Sequence, residues 1–333
     1  MREFGKTGMQ IKRVGFGGIP IQRISQEETN KVIDELEKCG VNFIDTARGY
    51  TVSEEYLGNA LKGRREKFYI ATKSMSRDYE SMKKDIEISL KNLQTDYIDL
   101  YQMHNVKPAE YDSIFGEDKA YRALVEAKEA GKIKHIGITS HGLETVEKAV
   151  ESGKFESIQF PYNIVENQAD EIFQKAHEKG VGTITMKPLA GGAINDGTLA
   201  MKYILSKDYI DVAIPGMDTP EQVRENTAVI NNATLTEEDN AKIAKIKAEL
   251  GTNFCRRCEY CLPCPQGVII PQNFLLEGYY TRYGLQDWAV ERYNALGDGK
   301  ASNCVECGEC ETRCPYELHI RDMLKNVVKV LEK

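Results

Sequence analysis

Short apolar runs rich in β-branched residues alternate with longer segments of helical periodicity along most of the chain. Eight such runs are bounded by turn residues, at 14–18, 41–46, 68–73, 97–103, 135–140, 157–162, 182–187 and 211–215. Short continuous apolar runs of this kind are typical of strands buried on both faces of a parallel sheet. Ahead of them, residues 4–9 predict a hairpin turn that covers one end of the fold.

The segments between these runs carry apolar residues three and four positions apart, which predicts amphipathic helices. They span 25–38, 78–93, 120–130, 143–151, 167–179, 198–205 and 220–230. The first begins with Ser25 and has Glu28 three positions later, the pattern of a capping box. Eight strands alternating with helices predict an α/β fold, the (β/α)8 TIM barrel. A doubly wound sheet would also alternate, but the glycine-rich turn of that fold is missing after the first predicted strand.

Eight of the nine cysteines stand in two tight runs near the C-terminus. The second run, followed by Pro315, has the bacterial-ferredoxin spacing for a [4Fe–4S] cluster. In two-cluster ferredoxins the fourth cysteine of each run ligates the other cluster. We therefore expect two clusters, one on Cys255, Cys258, Cys261 and Cys314 and the other on Cys304, Cys307, Cys310 and Cys264.

Other interpretations of these cysteines fit less well. Zinc also binds paired C-x2-C units, but four cysteines within residues 255–264 crowd a tetrahedral site. Disulfides need an oxidising compartment, and the N-terminal residues lack the apolar stretch of a secretory signal. The first run has two residues rather than three before its last cysteine, so Cys264 is its least regular ligand. Cys39 lies in a predicted helix and is interpreted as a small buried apolar residue.

The length and composition indicate a globular protein with one large and one small domain. We expect a barrel over residues 1–250 and a small, α-helical or irregular ferredoxin-like domain over 251–333 of the 333 residues. The chain is 41% hydrophobic and 29% charged, and its net charge of −7 argues against a broad nucleic-acid surface. No run of about eighteen apolar residues predicts a membrane span. The expected location is therefore the cytoplasm.

Three consecutive predicted strands end in residues with acid–base chemistry, at the end of a barrel where active sites form. Asp45 and Tyr50 follow the second strand, Lys73 ends the third, and His104 follows the fourth. A carbonyl that receives hydride needs a proton, and a tyrosine, whose ordinary pKa is about 10, can supply it when a cation lowers that value. Lys73 would be that cation and Asp45 would keep it charged. His104 would orient the carbonyl through a hydrogen bond.

These residues stand in a longer pattern, Asp45-Thr46-Ala47-x-x-Tyr50, followed by Ser53-Glu54 and Leu57-Gly58. With Lys73 and His104, the chain resembles the aldo-keto reductase family, joined to a C-terminal two-cluster ferredoxin-like domain. In that family the four residues form the catalytic tetrad, with tyrosine as the proton donor. The resemblance implies NADP(H) or NAD(H) bound across the barrel mouth without a Rossmann fold, and a small carbonyl or alcohol substrate.

The resemblance also implies coenzyme contacts at the later strand ends. Thr139, Ser140 and Gln159 resemble the residues that hold the nicotinamide carboxamide. Met186 stands where many relatives stack an aromatic ring, and is followed by Lys187, Pro188 and Leu189. The residues after the eighth strand resemble those that bind the adenine side of the coenzyme in the family: Gly216, Met217, Asp218, Gln222, Glu225 and Asn226.

Two features of the chain leave questions open. NADP-preferring relatives often carry a lysine and an arginine where this chain has Gly216 and Gln222, with Arg224 nearby, so NADP and NAD both stay open. Arg48 is unusual in the tetrad loop. It pairs either with a substrate carboxylate or, as we expect, with Glu54 at the surface.

Three interpretations of the clusters stay open. In the first, the chain is a reductase whose cluster domain is structural or shapes the pocket. In the second, it exchanges electrons with a ferredoxin or another one-electron partner. In the third, it is a non-catalytic nicotinamide-binding redox sensor. Hydride carries two electrons and a cluster passes one, and we find no sequence signal for a flavin. The intact tetrad favours the two enzyme interpretations.

Overall fold

The computed structural model describes residues 1–332 and divides into two compact units. The barrel unit comprises Met1–Asn163, Asn167–Pro188 and Asp196–Leu235. The cysteine unit comprises Ile164–Glu166, Leu189–Asn195 and the chain from Thr236 onward. Residues 236–250, which we expected to belong with the barrel, group by their contacts with the cysteine unit. The domain boundary expected at residue 250 stays a prediction.

The chain opens with the expected hairpin, which covers one end of the barrel. Strand β1 (Arg2–Glu3) pairs antiparallel with β2 (Gln10–Ile11). Between them Phe4 is fully buried and packs with Phe43, Leu100 and other apolar residues of the barrel interior. A Cβ atom at Gly182 would lie 2.5 Å from the Phe4 ring, so a glycine is needed for this close packing. The hairpin therefore fills the end of the barrel opposite the strand C-termini.

Eight parallel strands form the barrel, as predicted. They are β3 (Phe16–Gly17), β4 (Phe43–Asp45), β5 (Tyr69–Ser74), β6 (Ile98–Met103), β7 (Ile133–Thr139), β8 (Ser157–Pro161), β9 (Gly182–Met186) and β10 (Val212–Ile214), paired in that order. Parallel bridges from Val14 to Ala213 and from Gly17 to Gly216 join the two edges. A Cβ atom at Gly17 would lie 2.8 Å from the carbonyl oxygen of Ile214, so the glycine allows the seam to close.

Eight helices surround these strands. They are α1 (Gln26–Lys38), α2 (Ser53–Ala60), α3 (Tyr79–Leu93), α4 (Ala120–Glu129), α5 (Leu143–Ser152), α6 (Asp170–Lys179), α7 (Gly197–Leu205) and α8 (Pro220–Thr227). The capping box predicted at Ser25 and Glu28 is present. Shorter 3-10 helices lie at Ile19–Arg23, Arg65–Lys67 and Pro108–Ile114. Helix α2 was not among the predicted helices.

The cysteine unit is helical and irregular and has its own core. Its helices are α9 (Glu237–Leu250), α10 (Ile270–Thr281), α11 (Gln286–Asn294), α12 (Glu309–Thr312) and α13 (Ile320–Leu331), with 3-10 turns at Ala190–Gly192, Gly297–Gly299 and Ala301–Asn303. Helix α13 buries one face, formed by Ile320, Leu324, Val327 and Leu331. This face packs with the buried side chains of Ile270, Leu276 and Tyr293. Within residues 1–332, none of the helices has the length and apolar character needed to cross a bilayer.

Gly58 sets the distance between α2 and α3, which yields a prediction about stability. A Cβ atom at this position would lie 2.1 Å from the backbone oxygen of Asn92. We expect Gly58→Ala to destabilise the barrel unit by about 1–3 kcal/mol through overpacking, although alanine favours helix by about 1 kcal/mol. Urea unfolding followed by circular dichroism measures the change.

Gly49→Ala is the matched control, because a Cβ atom at Gly49 would meet no atom within 4 Å. Its unfolding midpoint should stay close to that of the wild type. Equal midpoints for the two variants would contradict the proposed close approach of α2 and α3.

Candidate active site and cluster sites

The barrel register brings the four predicted tetrad residues to one end of neighbouring strands. Asp45 is the last residue of β4, Lys73 lies near the end of β5, and His104 follows β6. Tyr50 lies in the loop that leads from β4 into α2. Because all strands run in the same direction, their C-terminal residues meet at one mouth.

Asp45 and Lys73 form a buried ion pair. The exposed fraction of Lys73 is 1% and that of Asp45 is 2%. The Lys73 Nζ donates to Asp45 Oδ1 and, at 2.8 Å, to the backbone oxygen of Thr46. Burial raises the pKa of Asp45 and lowers that of Lys73, and in each case the charge of the partner opposes the shift. The charge of each residue therefore favours the charged form of the other.

Tyr50 and His104 lie beside this pair. Lys73 Nζ is 5.0 Å from the centroid of the Tyr50 ring, and the rings of Tyr50 and His104 are 6.0 Å apart at 87°. Burial lowers the pKa of His104 well below its usual value, with further contributions from the charges of Lys73 and Arg77. His104 is therefore a neutral imidazole at physiological pH, which donates one N–H hydrogen bond without adding charge.

Arg48 contacts Glu54, as expected, but this pair is not at the surface. The guanidinium lies 2.6 Å from Oε2 of Glu54, and Glu54 is only 1% exposed. The other oxygen of Glu54 accepts hydrogen bonds from the hydroxyls of Thr72, at 2.8 Å, and Ser89, at 2.7 Å. This network fixes the loop that carries Tyr50 against α2 and α3.

Two residues of this site were not found by sequence reasoning. Gln102, fully buried on β6, donates from Nε2 to Asp45 Oδ2 at 3.1 Å. Arg77 donates to the backbone oxygens of His104, at 2.9 Å, and of Asn105, at 3.1 Å. A glutamine in the middle of an apolar strand, two positions before His104, was a signal that could have identified Gln102. Arg77 lies in a loop and carried no such signal.

Of the three residues expected at the nicotinamide carboxamide, Thr139 ends β7, Ser140 follows it, and Gln159 lies in the middle of β8. Thr139 Oγ1 accepts from the Asn105 backbone at 2.8 Å, and Ser140 Oγ donates to the backbone oxygen of Val106 at 2.6 Å. Gln159 is 1% exposed, and its Oε1 has no hydrogen-bond partner within residues 1–332. Of the three, Gln159 thus offers an unsatisfied acceptor for a carboxamide N–H.

The remaining expected coenzyme residues lie along the ends of β9 and β10. Met186 ends β9 half-buried, Lys187 has a positive φ of 57°, and Pro188 is buried; Leu189 belongs to the cysteine unit. After β10, a Cβ atom at Gly216 would lie 2.9 Å from Pro20 Cγ, and Met217 is fully buried. Asn226 is buried and its Oδ1 has no partner in the described part of the chain, whereas Glu225 is exposed.

The charged groups near the end of β10 are paired. Asp218 binds the guanidinium of Arg23, with contacts of 2.7 and 2.5 Å. Its backbone N–H donates to Gln222 Oε1 at 2.8 Å. Arg224 contacts Glu35 at 3.1 Å and Glu221 at 2.5 Å. Each of these two arginines therefore has a carboxylate partner.

The eight cysteines of the two runs line two small pockets of the cysteine unit. The first cavity is lined by Cys255, Cys258, Cys261 and Cys314, and the second by Cys264, Cys304, Cys307 and Cys310. Each cavity thus combines three cysteines of one run with the last cysteine of the other. A four-iron cluster takes one thiolate for each iron, so a cavity ringed by four thiols fits this group.

The surroundings of the first cavity are held by two arginines. Arg256 is 8% exposed and donates to the backbone oxygens of Val165, at 3.0 Å, and Gly251, at 2.8 Å. Arg257 contacts the fully buried Glu166 at 2.8 Å. These bonds fix the backbone that carries Cys255 and Cys258. Burial raises the pKa of Cys255 to about 11, so this thiol needs a bound metal to become a thiolate.

Comparison with known proteins decides the family. Residues 13–198 match the Aldo/keto reductase family, and residues 254–319 match a 4Fe-4S dicluster domain. The chain belongs to the aldo/keto reductase family. Methylglyoxal reductase DkgA of Escherichia coli is 31% identical over 251 residues, which cover 69% of this chain and 88% of that protein.

Other members of the family match over similar lengths. L-galactose dehydrogenase of Arabidopsis thaliana is 27% identical and covers 75% of this chain and 94% of its own length. An NADH-specific methylglyoxal reductase of Escherichia coli is 26% identical and covers 70% of this chain and 96% of its own length. Among solved structures, the holo form of aldo-keto reductase AKR11C1 from Bacillus halodurans superposes with a TM-score of 0.65 at 26% identity, covering 74% of this chain and 95% of that chain.

Proposed function

We propose that this oxidoreductase interconverts a small carbonyl compound and its alcohol by hydride transfer with a nicotinamide coenzyme, with Tyr50 as the proton donor. The observation that carries the proposal is the buried Asp45–Lys73 pair, whose ammonium lies 5.0 Å from the Tyr50 ring and whose neighbour is the neutral His104. This arrangement places a cation, a phenol and a neutral N–H donor around one point at the barrel mouth.

The roles of these residues follow from their chemistry. When bound, the reduced coenzyme supplies the hydride. Lys73 stabilises the phenolate that Tyr50 becomes after it has given its proton to the substrate oxygen. His104 donates a hydrogen bond to the same oxygen, and its neutrality avoids a second buried charge. Arg77 holds the backbone of His104, which orients the ring. Gln159 would hold the nicotinamide carboxamide with Thr139 and Ser140.

Tyr50→Phe tests the proposal. Removing the hydroxyl should lower kcat/KM for a panel of aldehydes and ketones by about 10²–10⁴-fold, because the proton donor is lost while the ring remains. The measurement is coenzyme oxidation by anaerobically purified protein. Tyr56→Phe, a change of the same kind on α2, should keep the wild-type rate. Equal turnover of Tyr50→Phe and wild type would refute the assigned role of Tyr50.

We propose further that the coenzyme is NADH. A 2′-phosphate needs a guanidinium or ammonium group, but Arg23 and Arg224 are already bound to carboxylates. Pro20 packs where a side chain at Gly216 would begin, so this position offers no cation. The carboxylate of Asp218, which is paired with Arg23, offers no hydrogen-bond donor to a phosphate but could accept a hydrogen bond from a ribose hydroxyl. One E. coli relative of similar length is itself named as NADH-specific.

The coenzyme preference has its own test. Wild-type kcat/KM should be at least about tenfold higher with NADH than with NADPH, and Asp218→Ser should reduce this ratio about tenfold by releasing the guanidinium of Arg23 for a phosphate. Glu80→Gln, which removes an exposed carboxylate from α3, is the control and should leave the ratio unchanged. A wild-type preference for NADPH would contradict the proposal.

We also propose that the cysteine unit binds two [4Fe–4S] clusters with crossed ligands, as the two cavities suggest. Cys258→Ser and Cys314→Ser would then affect the same cluster, whereas Cys258→Ser and Cys264→Ser would affect different ones. The Cys258→Ser/Cys314→Ser double variant should keep about four irons per chain, and the Cys258→Ser/Cys264→Ser variant should keep almost none.

Iron analysis and electron paramagnetic resonance of the dithionite-reduced proteins measure these losses. Cys39→Ser, outside both runs, is the control and should keep the wild-type iron content. The reverse pattern, with about four irons in Cys258→Ser/Cys264→Ser and almost none in Cys258→Ser/Cys314→Ser, would show that each run holds its own cluster.

A second candidate function, electron exchange with a one-electron protein partner, is favoured by one observation. Cys307 is exposed, and the neighbouring Val305 is 61% exposed, so the second cavity opens to solvent. A cluster held there would be accessible to a ferredoxin-type partner. Cys307→Ser should then abolish reduction of a one-electron acceptor and leave coenzyme binding intact.

A further inference from the structure

Gln102 occupies an unusual position for a polar residue. It lies on β6 opposite Lys73 of β5 and is fully buried. Its Nε2 donates to Asp45 Oδ2 at 3.1 Å, while its Oε1 has no hydrogen-bond partner within residues 1–332. Burying an amide with its oxygen unsatisfied is unfavourable. The donor side of Gln102 therefore has a role that an apolar residue of the same size would not fill.

The acceptor of this bond is one half of the buried Asp45–Lys73 pair. Asp45 Oδ1 accepts from Lys73, and Oδ2 accepts from Gln102. Gln159 adds a further stabilising interaction with the same carboxylate. Because burial disfavours both charges, each hydrogen bond that the carboxylate accepts favours the state with the proton on the lysine nitrogen.

The other titratable groups around the pair are few. Glu54 on α2 acts on Lys73 through its charge, while its own oxygens are bound by Arg48 and by hydroxyls. The Tyr50 ring lies 5.0 Å from Lys73 Nζ and contacts the neutral ring of His104, on which Arg77 also acts through its charge. Of the neighbours that contact the carboxylate of Asp45, Lys73 is the cation, and Gln102 and Gln159 are the neutral amides.

We propose that Gln102 is a further positioning residue of the active site, whose amide keeps the proton shared by Asp45 and Lys73 on the lysine nitrogen. An N–H donor stabilises a carboxylate and has little to offer a carboxylic O–H. Without it the proton passes from Nζ to the Asp45 carboxyl oxygen, which leaves a neutral acid and a neutral amine. The total charge and the number of protons are unchanged.

The loss of the lysine charge would also change the ionisation of Tyr50. A neutral amine beside the phenol no longer favours the phenolate, so Tyr50 would hold its proton to higher pH and donate it less readily. This kinetic consequence rests on the proposed function, but the ionisation of Tyr50 can be followed without turnover. The test therefore measures both the ionisation of Tyr50 and the rate of turnover.

Gln102→Met removes the amide and keeps an unbranched chain of similar length. Its control is Ser157→Ala, which also removes a buried polar group from the barrel interior. The two sites are close, because a Cβ atom at Gly137 would lie 3.0 Å from Gln102 Cγ and 2.3 Å from Ser157 Oγ. In full-length protein with its clusters, ¹³C NMR of ring-labelled tyrosine follows the ionisation of Tyr50, whose signal is identified by its loss in Tyr50→Phe. The pH profile of kcat is measured in parallel.

We expect the ionisation of Tyr50 in Gln102→Met to move to higher pH by about one unit, the alkaline limb of kcat to move with it, and kcat at neutral pH to fall about tenfold. Ser157→Ala should match the wild type in both profiles. An unchanged or downward shift of the Tyr50 ionisation overturns the proposal, even if kcat falls.

The two proposals fail separately. A shift in the NMR titration without turnover in the wild type supports the role of Gln102 and refutes the reductase function. Normal turnover of the wild type with no shift of the Tyr50 ionisation in Gln102→Met supports the reductase function and refutes the role of Gln102. If Gln102→Met does not fold, as judged by circular dichroism, Gln102→Leu replaces it and the same two outcomes apply.

Discussion

The burial of the Asp45–Lys73 ion pair is the constraint on which the rest of the active site depends. Removing two such charges from water costs several kcal/mol for each ion, and their attraction offsets this only with good geometry and further hydrogen bonds. The protein supplies these through the backbone oxygen of Thr46 and the amide of Gln102. A solvent-exposed lysine would be screened and could not have the strong effect on Tyr50 that the proposed function requires. Burial makes its charge effective and also makes that charge depend on its neighbours.

The barrel satisfies this constraint because its strands are parallel and their register is fixed. Asp45, Lys73 and Gln102 come from three consecutive strands and point into one interior. The hairpin at the opposite end, with Phe4 fully buried, fills that end of the interior with apolar side chains. Charges at the mouth are paired in a similar way, since Arg48, Arg23 and Arg224 each have a carboxylate partner. The site therefore combines one buried lysine cation with arginines whose charges are compensated locally.

The sequence predicted the parts of this structure that local pattern determines. The eight strands were found because strands buried on both faces are continuous apolar runs. Helix α2 was missed because it is short, polar at its start and interrupted by Gly58, a residue that the close packing against α3 requires. Arg48 pairs with Glu54 as we expected, but the pair is not at the surface. Its burial could not be predicted, because the hydroxyls of Thr72 and Ser89 that bind Glu54 come from elements that are distant in sequence. Gln102 was missed for the same reason, because its hydrogen-bond partner Asp45 lies 57 positions away in the sequence.

The two cavities of the cysteine unit have a consequence for how that unit is held together. Each cavity takes its fourth cysteine from the other run, so with clusters bound as proposed the chain between 264 and 304 would be closed at both ends by inorganic bridges. Such bridges act as a pair of disulfides does, by restricting the unfolded chain. A single protease cut within that stretch would leave the two fragments joined, and they would separate only after the iron was removed. The clusters would then serve as reversible cross-links whose strength is governed by the supply of iron and sulfide.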